Sequence, residues 1–148
     1  MGSMTGTQDL EKRDRVVIAG ASGFVGTAIC NALLPQYEVV GLSRRQKTTN
    51  DGVEWRKCDL FSLLDTERAV DGARFAIYLV HSMQPAELTQ ASFRDIDWIL
   101  ADNFSRACEQ AGVEQIIYLG GLIPPDQGLS EHLASRLEVA RVLASRSP

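Results

Sequence analysis

Short apolar segments alternate with amphipathic segments along most of the chain. The apolar segments have the length of strands, and the others carry apolar residues at the three- and four-residue spacing of helices. This alternation, joined by right-handed crossovers, predicts an α/β fold in three layers, with about five parallel strands in the order 3-2-1-4-5 and helices on both faces. Strands are predicted at residues 15–19, 37–42, 54–58, 75–80 and 115–119, and helices at 24–34, 62–71, 85–111 and 130–144.

Several helix boundaries carry their own signals. Ser62 and Ser130 stand where an N-cap hydroxyl is needed, and Gly112 stands at the C′ position of the longest helix. The polar segment 44–52 lacks either periodicity, which predicts a mobile surface loop between the second and third strands.

Three glycines interrupt the chain directly after the first strand, in the run Gly20-Ala21-Ser22-Gly23-Phe24-Val25-Gly26. Gly20 allows a sharp turn, Gly23 leaves room for phosphates near the backbone, and Gly26 allows the helix to pack close to the sheet. The turn brings backbone N–H groups to the positive end of a helix dipole, which favours a diphosphate. We therefore predict a Rossmann-type dinucleotide site that includes Ser22, Phe24 and Val25; the alternative is an ordinary tight β–α turn.

The end of the second strand carries no carboxylate. An NAD-binding fold usually has an acidic residue there, which holds the ribose 2′-hydroxyl. Here the segment reads Ser43-Arg44-Arg45, and a hydroxyl with two guanidinium groups suits a 2′-phosphate. The position favours NADP(H) over NAD(H), with a solvated basic loop as the alternative.

Composition narrows the range of functions. The chain has 148 residues, a formal net charge of −4 and 45% hydrophobic residues, which is enough for one domain with a core. Mild acidity without a basic stripe argues against a nucleic-acid partner, and no apolar run predicts a membrane span or a signal peptide. Three cysteines without metal-ligand spacing predict buried, reduced thiols, no metal site and a cytoplasmic location.

The chain resembles the extended and atypical short-chain dehydrogenases/reductases, in their NAD(P)-dependent epimerase/dehydratase-like or NmrA-like branches. The resemblance rests on the glycine run, Ser43-Arg44-Arg45, Cys58-Asp59-Leu60, Tyr78-Leu79-Val80-His81-Ser82 and Ile117-Tyr118-Leu119-Gly120-Gly121. It implies that Asp59 and Leu60 flank the adenine and that residues 79–82 (Leu79, Val80, His81, Ser82) lie along the cofactor. The alternatives are a carboxylate that holds the turn into the next helix, and plain strand core.

The chain departs from this family at the expected active centre. Catalytic members carry a hydroxyl residue after the fifth strand and a Tyr-x-x-x-Lys pair on the next helix. Here Gly120-Gly121 follow the strand, and the pair is His132 and Arg136, which share one helix face. Histidine still exchanges protons near neutral pH, while arginine only binds anions or hydroxyls. A polar pair without a chemical role is the alternative.

Residues 1–14 are interpreted as a tag remnant and flexible lead, and 15–148 as an NAD(P)-binding domain truncated before a substrate-binding lobe. The leading hypothesis is the cofactor half of an NADP-dependent oxidoreductase or epimerase/dehydratase with an unknown small-molecule substrate. The alternatives are an NADPH-sensing module without turnover and an assembly subunit that retains only the fold. The resemblance also implies a homodimer formed by the two carboxyl-terminal helices.

Overall fold

The predicted order of strands and helices is confirmed by a computed structural model. It describes residues 11–49, 51–81, 90–121, 128 and 130–146, and of residues 90–93, 131 and 132 only the backbone. The elements, in chain order, are β1 (Arg15–Ala19), α1 (Phe24–Leu33), β2 (Glu38–Ser43), β3 (Glu54–Lys57), α2 (Leu63–Val70), β4 (Phe75–Tyr78), α3 (Gln90–Ala111), β5 (Gln115–Tyr118) and α4 (Glu131–Ala144).

The five strands form one parallel sheet in the predicted order β3-β2-β1-β4-β5. Ala19 at the end of β1 pairs with Leu42 of β2 and with Tyr78 of β4. The carboxyl ends of these three strands therefore lie side by side at one edge of the sheet. Parallel α/β sheets bind ligands at this edge, where neighbouring crossovers leave on opposite faces.

The two faces of the sheet are covered unequally. On one face, α1 packs on a cluster that includes Val16, Ile18 and Val39. On the other face, α2, α3 and α4 bury a larger cluster around Val17 and Phe104. The described residues between β2 and β3 contain no helix, so the loop before β3 and the side chain of Trp55 complete the cover over β2 on the α1 face.

Several predicted boundaries move by one or two residues for identifiable reasons. The last residue of α1 is Leu33, and its carbonyl accepts a hydrogen bond from the amide of Tyr37. Because that amide is engaged, β2 begins at Glu38 rather than at Tyr37. β4 was predicted to reach Val80 but ends at Tyr78, although the amide of Leu79 still donates to Ala19. The predicted start of α3 at residues 85–89 lies outside the described residues.

The predicted caps and thiols are confirmed. Ser62 and Ser130 accept hydrogen bonds from the amides three residues later, and Gly112 ends α3 with φ of +72°. Cys30, Cys58 and Cys108 are free and buried. Burial raises the pKa of Cys58 to about 11 and that of Cys108 to about 12, so both thiols are protonated at neutral pH. Within the described ranges, no helix is both long enough and apolar enough to cross a bilayer.

Candidate nucleotide site

The glycine turn lies at the carboxyl end of β1 and has the geometry that its sequence predicts. Gly20 has φ of +86°, a backbone conformation that L side chains rarely adopt. A Cβ added to Gly20 would lie 3.0 Å from the carbonyl carbon of Leu79. Both the conformation and the contact require glycine here, and they place Leu79 directly against the turn.

The other two glycines of the run differ in what surrounds them. A Cβ on Gly26 would collide with the carbonyl oxygen of Gly20 and lie 2.7 Å from the Cα of Ala21. Gly26 therefore lets the first turn of α1 rest on the backbone of the glycine turn, as predicted. A Cβ on Gly23 would meet only the Gly20 oxygen, at 3.5 Å, so the space beside Gly23 is open.

The amino terminus of α1 is unusual among the helices with a described N-cap. Gly23 is the N-cap residue and supplies no side-chain acceptor, and no acidic residue lies in the first turn. By contrast, serine side chains cap α2 and α4. The first N–H groups of a helix need an acceptor, and the helix dipole makes that acceptor preferably an anion. The turn thus leaves an anion-binding position open, while the side chain of Phe24 is 96% exposed beside it.

The end of β2 brings a hydroxyl and two cations next to this turn. Ser43 follows Leu42, the register partner of Ala19, and is therefore level with Gly20. The Ser43 Oγ accepts a hydrogen bond of 3.3 Å from the amide of Arg45, which shapes the bend after the strand. The side chains of Arg44 and Arg45 are exposed.

The residues expected around the adenine lie in the turn after β3. The carboxylate of Asp59 accepts a hydrogen bond of 3.0 Å from the amide of Phe61, so it holds the turn into α2. Asn103 of α3 donates to the carbonyl of Leu60 at 2.8 Å, which ties this turn to the neighbouring helix. Asp59 therefore has the structural role given above as the alternative, and its second role toward a ligand stays a prediction.

The end of β4 supplies the next group of predicted residues. Leu79 and Val80 are partly buried, and Val80 packs against the larger core cluster. The side chain of His81 is exposed, yet partial desolvation and then the positive charge of Arg136 lower the pKa of its imidazole. Ser82 lies outside the described residues.

Of the predicted pair on α4, His132 and Arg136, the structure describes only the side chain of Arg136. Arg136 is exposed and lies beside the end of β5, because a Cβ on Gly121 would be 3.3 Å from Arg136 Nη1. His132 is part of α4, but its side chain lies outside the described residues. Val139 and Leu143, on the same helix face, are buried.

Two polar residues at this end of the sheet escaped the sequence prediction. The ring centroid of Tyr118 lies 6.3 Å from that of His81, and the Tyr118 hydroxyl is buried without a hydrogen-bond partner among the described residues. On α3, Asp97 accepts a hydrogen bond of 3.2 Å from Ser135. Burial raises the pKa of Tyr118, while Arg136 opposes this shift and Asp97 adds to it.

The sequence nevertheless carries a signal for each of these two residues, Asp97 and Tyr118. Asp97 lies three and seven residues before the buried Leu100 and Phe104, so a carboxylate occupies the apolar stripe of α3. Tyr118 is a polar-tipped aromatic at the end of β5, an edge strand whose residues are exposed or half-buried. In the part of the chain that the structure describes, no three histidine, cysteine or acidic residues come together as a metal site.

A family model decides the affiliation of the chain. The model of the NAD dependent epimerase/dehydratase family matches residues 16–137. The chain belongs to this family.

Three individual proteins are similar to this chain in sequence or in structure. The auxiliary protein GraX of Staphylococcus aureus is 28% identical over 113 residues, which are 74% of this chain and 37% of GraX. The UDP-N-acetylglucosamine 4-epimerase of Bacillus cereus superposes with a TM-score of 0.70 at 19% identity, over 88% of this chain and 50% of the epimerase. The Bordetella bronchiseptica enzyme WbmG, solved in complex with NAD, gives a TM-score of 0.72 at 16% identity, over 94% of this chain and 52% of WbmG.

These structures confirm the Rossmann-type fold. The chain spans between a third and about half of the length of these three relatives.

Proposed function

We propose that this chain is the NADP(H)-binding domain of an atypical epimerase/dehydratase-type oxidoreductase. The observation that carries the proposal is the uncapped amino terminus of α1 behind a glycine turn whose Gly23 faces open space. A diphosphate supplies the acceptors that this terminus lacks. The family affiliation and the NAD complex of WbmG support a nicotinamide dinucleotide as the ligand.

The remaining parts of the cofactor are assigned by position along the sheet edge. The amides of the glycine run would hold the diphosphate, and Ser43, Arg44 and Arg45 a 2′-phosphate. The turn at Asp59 and Leu60 would border the adenine. The segment after β4, with Leu79, Val80, His81 and Ser82, would border the nicotinamide half. The preference for NADP(H) over NAD(H) rests on the two arginines and on the absence of a carboxylate at residues 43–45.

Saturating NADPH is expected to stabilise the domain. A ligand at one hundred times its dissociation constant adds about 2.7 kcal/mol, which raises the melting temperature of a domain this size by about 5 to 10 °C. Differential scanning fluorimetry measures the shift. The Gly23→Ala variant should keep the unliganded melting temperature within about 2 °C, because φ at Gly23 is −75° and its added Cβ meets only ordinary contacts. The variant should lose most of the NADPH-induced rise in melting temperature. An equal rise in both proteins would refute the proposal that the diphosphate binds at Gly23.

The chemistry proposed for the longer protein is divided between cofactor and chain. The nicotinamide supplies hydride exchange. Within this chain, His132 is the candidate proton donor and acceptor, and Arg136 is the candidate ligand for a ribose hydroxyl or a substrate carboxylate. Arg136 suits that role because it lies beside the end of β5, where its charge already acts on His81. Nucleotide sugars, named for several fold neighbours, are the first substrate class to screen.

A sensor that binds NADPH without turnover is the second candidate. Gly120 and Gly121, which place no hydroxyl after β5, favour it. Hydride exchange between NADPH and a panel of nucleotide sugars, measured with the full-length protein, separates the two. Turnover that His132→Ala abolishes supports the enzyme, and binding without turnover supports the sensor. An assembly subunit would show no stabilisation by any dinucleotide.

The proposed homodimer rests on the outer surface of α3 and α4. These helices pack against each other, linked by an ion pair of 3.2 Å between Arg94 and Glu138, and Trp98 on α3 is 43% exposed. Sedimentation velocity is expected to show a dimer that Trp98→Glu converts to a monomer. A monomer at all concentrations would contradict this part of the proposal.

A further inference from the structure

Three polar side chains from different elements meet where β4 and β5 end. The ring centroid of His81, which follows β4, lies 6.3 Å from that of Tyr118 in β5. A Cβ added to Gly120 would lie 3.5 Å from Cε1 of Tyr118. A Cβ added to the next residue, Gly121, would lie 3.3 Å from Nη1 of Arg136 on α4. Because the two glycines are consecutive, the phenol ring and the guanidinium group lie beside one short stretch of backbone.

The hydroxyl of Tyr118 has no counterpart in this cluster. It is buried without a hydrogen-bond partner among the described residues. A buried hydroxyl that makes no hydrogen bond destabilises a protein, so such groups are rare in native structures. A ligand oxygen at this corner would supply the acceptor that the hydroxyl lacks. The orphaned hydroxyl therefore points to a ligand that accepts hydrogen bonds.

The strongest charge acting on the two rings is that of Arg136. Desolvation and then the positive charge of Arg136 lower the pKa of the His81 imidazole, whereas the negative charge of Asp97 on α3 opposes this shift. At Tyr118, burial raises the pKa, Arg136 lowers it, and Asp97 contributes least. The Asp97 carboxylate also accepts a hydrogen bond of 3.2 Å from Ser135. At both rings the effect of the cation thus exceeds that of the carboxylate, which favours a bound anion.

We propose that His81, Tyr118 and Arg136 form a subsite for the carboxylate of an acidic substrate. This inference rests on the function proposed above, in which His81 borders the nicotinamide half; it adds two residues to Arg136 and names the substrate class. The guanidinium, the phenol and the imidazole N–H all donate hydrogen bonds, and a carboxylate accepts from all three. The side chains of His81 and Arg136 are exposed, so a ligand can reach them.

The charge of the subsite favours a monoanion. Arg136 is the permanent cation of the three residues, and the lowered pKa of His81 leaves its imidazole neutral at neutral pH. Asp97 acts on both rings and repels additional negative charge. A carboxylate, with one charge, therefore fits better than a phosphate dianion.

The test uses acetate as the probe, with acetamide as its uncharged analogue. Proton NMR follows the imidazole signals of the two histidines between about pH 6 and pH 8, and His81→Gln identifies the signal of His81. Acetate is expected to bind with a Kd of about 10 mM and to raise the pKa of His81, because a carboxylate stabilises the imidazolium. Protonated His81 adds a second cation, so acetate should bind about threefold more tightly at the lower pH. Acetamide should leave the titration unchanged.

Two variants test the assigned residues. Arg136→Gln is expected to weaken acetate binding at least about tenfold, whereas Arg141→Gln, which removes an exposed arginine from the last turn of the same helix, should bind like the wild type. Tyr118→Phe should weaken acetate about fivefold, while its melting temperature without ligand stays equal or rises, because the hydroxyl has no partner to lose. Unchanged acetate affinity in Arg136→Gln or in Tyr118→Phe would overturn the subsite.

Differential scanning fluorimetry with NADPH separates this inference from the proposed function. Stabilisation by NADPH without acetate binding would remove the subsite and leave the dinucleotide assignment standing. Acetate binding without stabilisation by any dinucleotide would refute the proposed function, and the substrate role of the subsite with it. Inorganic phosphate at equal ionic strength should bind more weakly than acetate. Tighter binding of phosphate would show that the substrate class is wrong.

Discussion

Replacing Gly26 by alanine is expected to lower the free energy of unfolding by about 3 kcal/mol and to abolish dinucleotide binding. The added methyl group would overlap the carbonyl oxygen of Gly20 and crowd the Cα of Ala21. Both are backbone atoms in a turn whose Gly20 already has a left-handed conformation. Relief requires α1 to move away from the sheet, which displaces the amides that the diphosphate needs.

Urea denaturation followed by circular dichroism measures the change in stability. Gly112→Ala is the matched control, because Gly112 has φ of +72° but its added Cβ would meet nothing within 4 Å. That variant should lose only the conformational preference of glycine, about 1 kcal/mol, and should bind ligand normally. If Gly26→Ala is no less stable than Gly112→Ala, the close packing of α1 on the turn is not what requires glycine.

The double variant Arg44→Ala/Arg45→Ala is expected to bind NADPH about one hundredfold more weakly and NADH about as tightly as the wild type. Two charge-assisted contacts to a dianionic 2′-phosphate would be lost, while NADH carries only an uncharged hydroxyl at that position. Isothermal titration calorimetry with both cofactors measures the ratio of the NADPH affinity to the NADH affinity. The loss of NADPH affinity in the double variant should become smaller with added salt, because both arginines are exposed and salt screens their charges.

Arg68→Ala/Arg141→Ala serves as the control for net charge. Both residues are exposed and lie in the last turns of α2 and α4, toward the opposite end of the sheet. A similar loss of NADPH affinity in both double variants would mean that net charge, rather than a 2′-phosphate site, produces the preference. An unchanged ratio of NADPH to NADH affinity in the arginine pair would place the phosphate elsewhere.

The fold was predictable because its signals are local and repeated. Four of the five strands are largely apolar segments, such as residues 15–19, and helices have their own stripe or cap, such as Ser62. The boundaries that moved depend on contacts made after folding. Tyr37, for example, is apolar enough for a strand, but its amide completes the last turn of α1.

The candidate site was predictable where one short segment determines it. The glycine run controls its own backbone, so the turn and the close packing at Gly26 follow from residue types alone. The role of Asp59 was harder to predict from the sequence, because a carboxylate before a helix serves equally well as a turn acceptor or a ligand contact. The structure shows the first of these roles.

By itself, the sequence determined the order of the elements, the parallel sheet and the glycine turn at which we propose a diphosphate, because periodicity and glycine spacing act over a few residues. Only the tertiary structure brought Tyr118, Asp97 and Arg136 to one end of the sheet. It also showed that the segment expected as a mobile loop contacts the side chain of Trp55, with Lys47 over the ring and Asp51 accepting hydrogen bonds from its Nε1. These groupings depend on crossovers between distant segments and on the absence of a side chain at Gly41, which leaves room for the Trp55 ring. No local pattern encodes either.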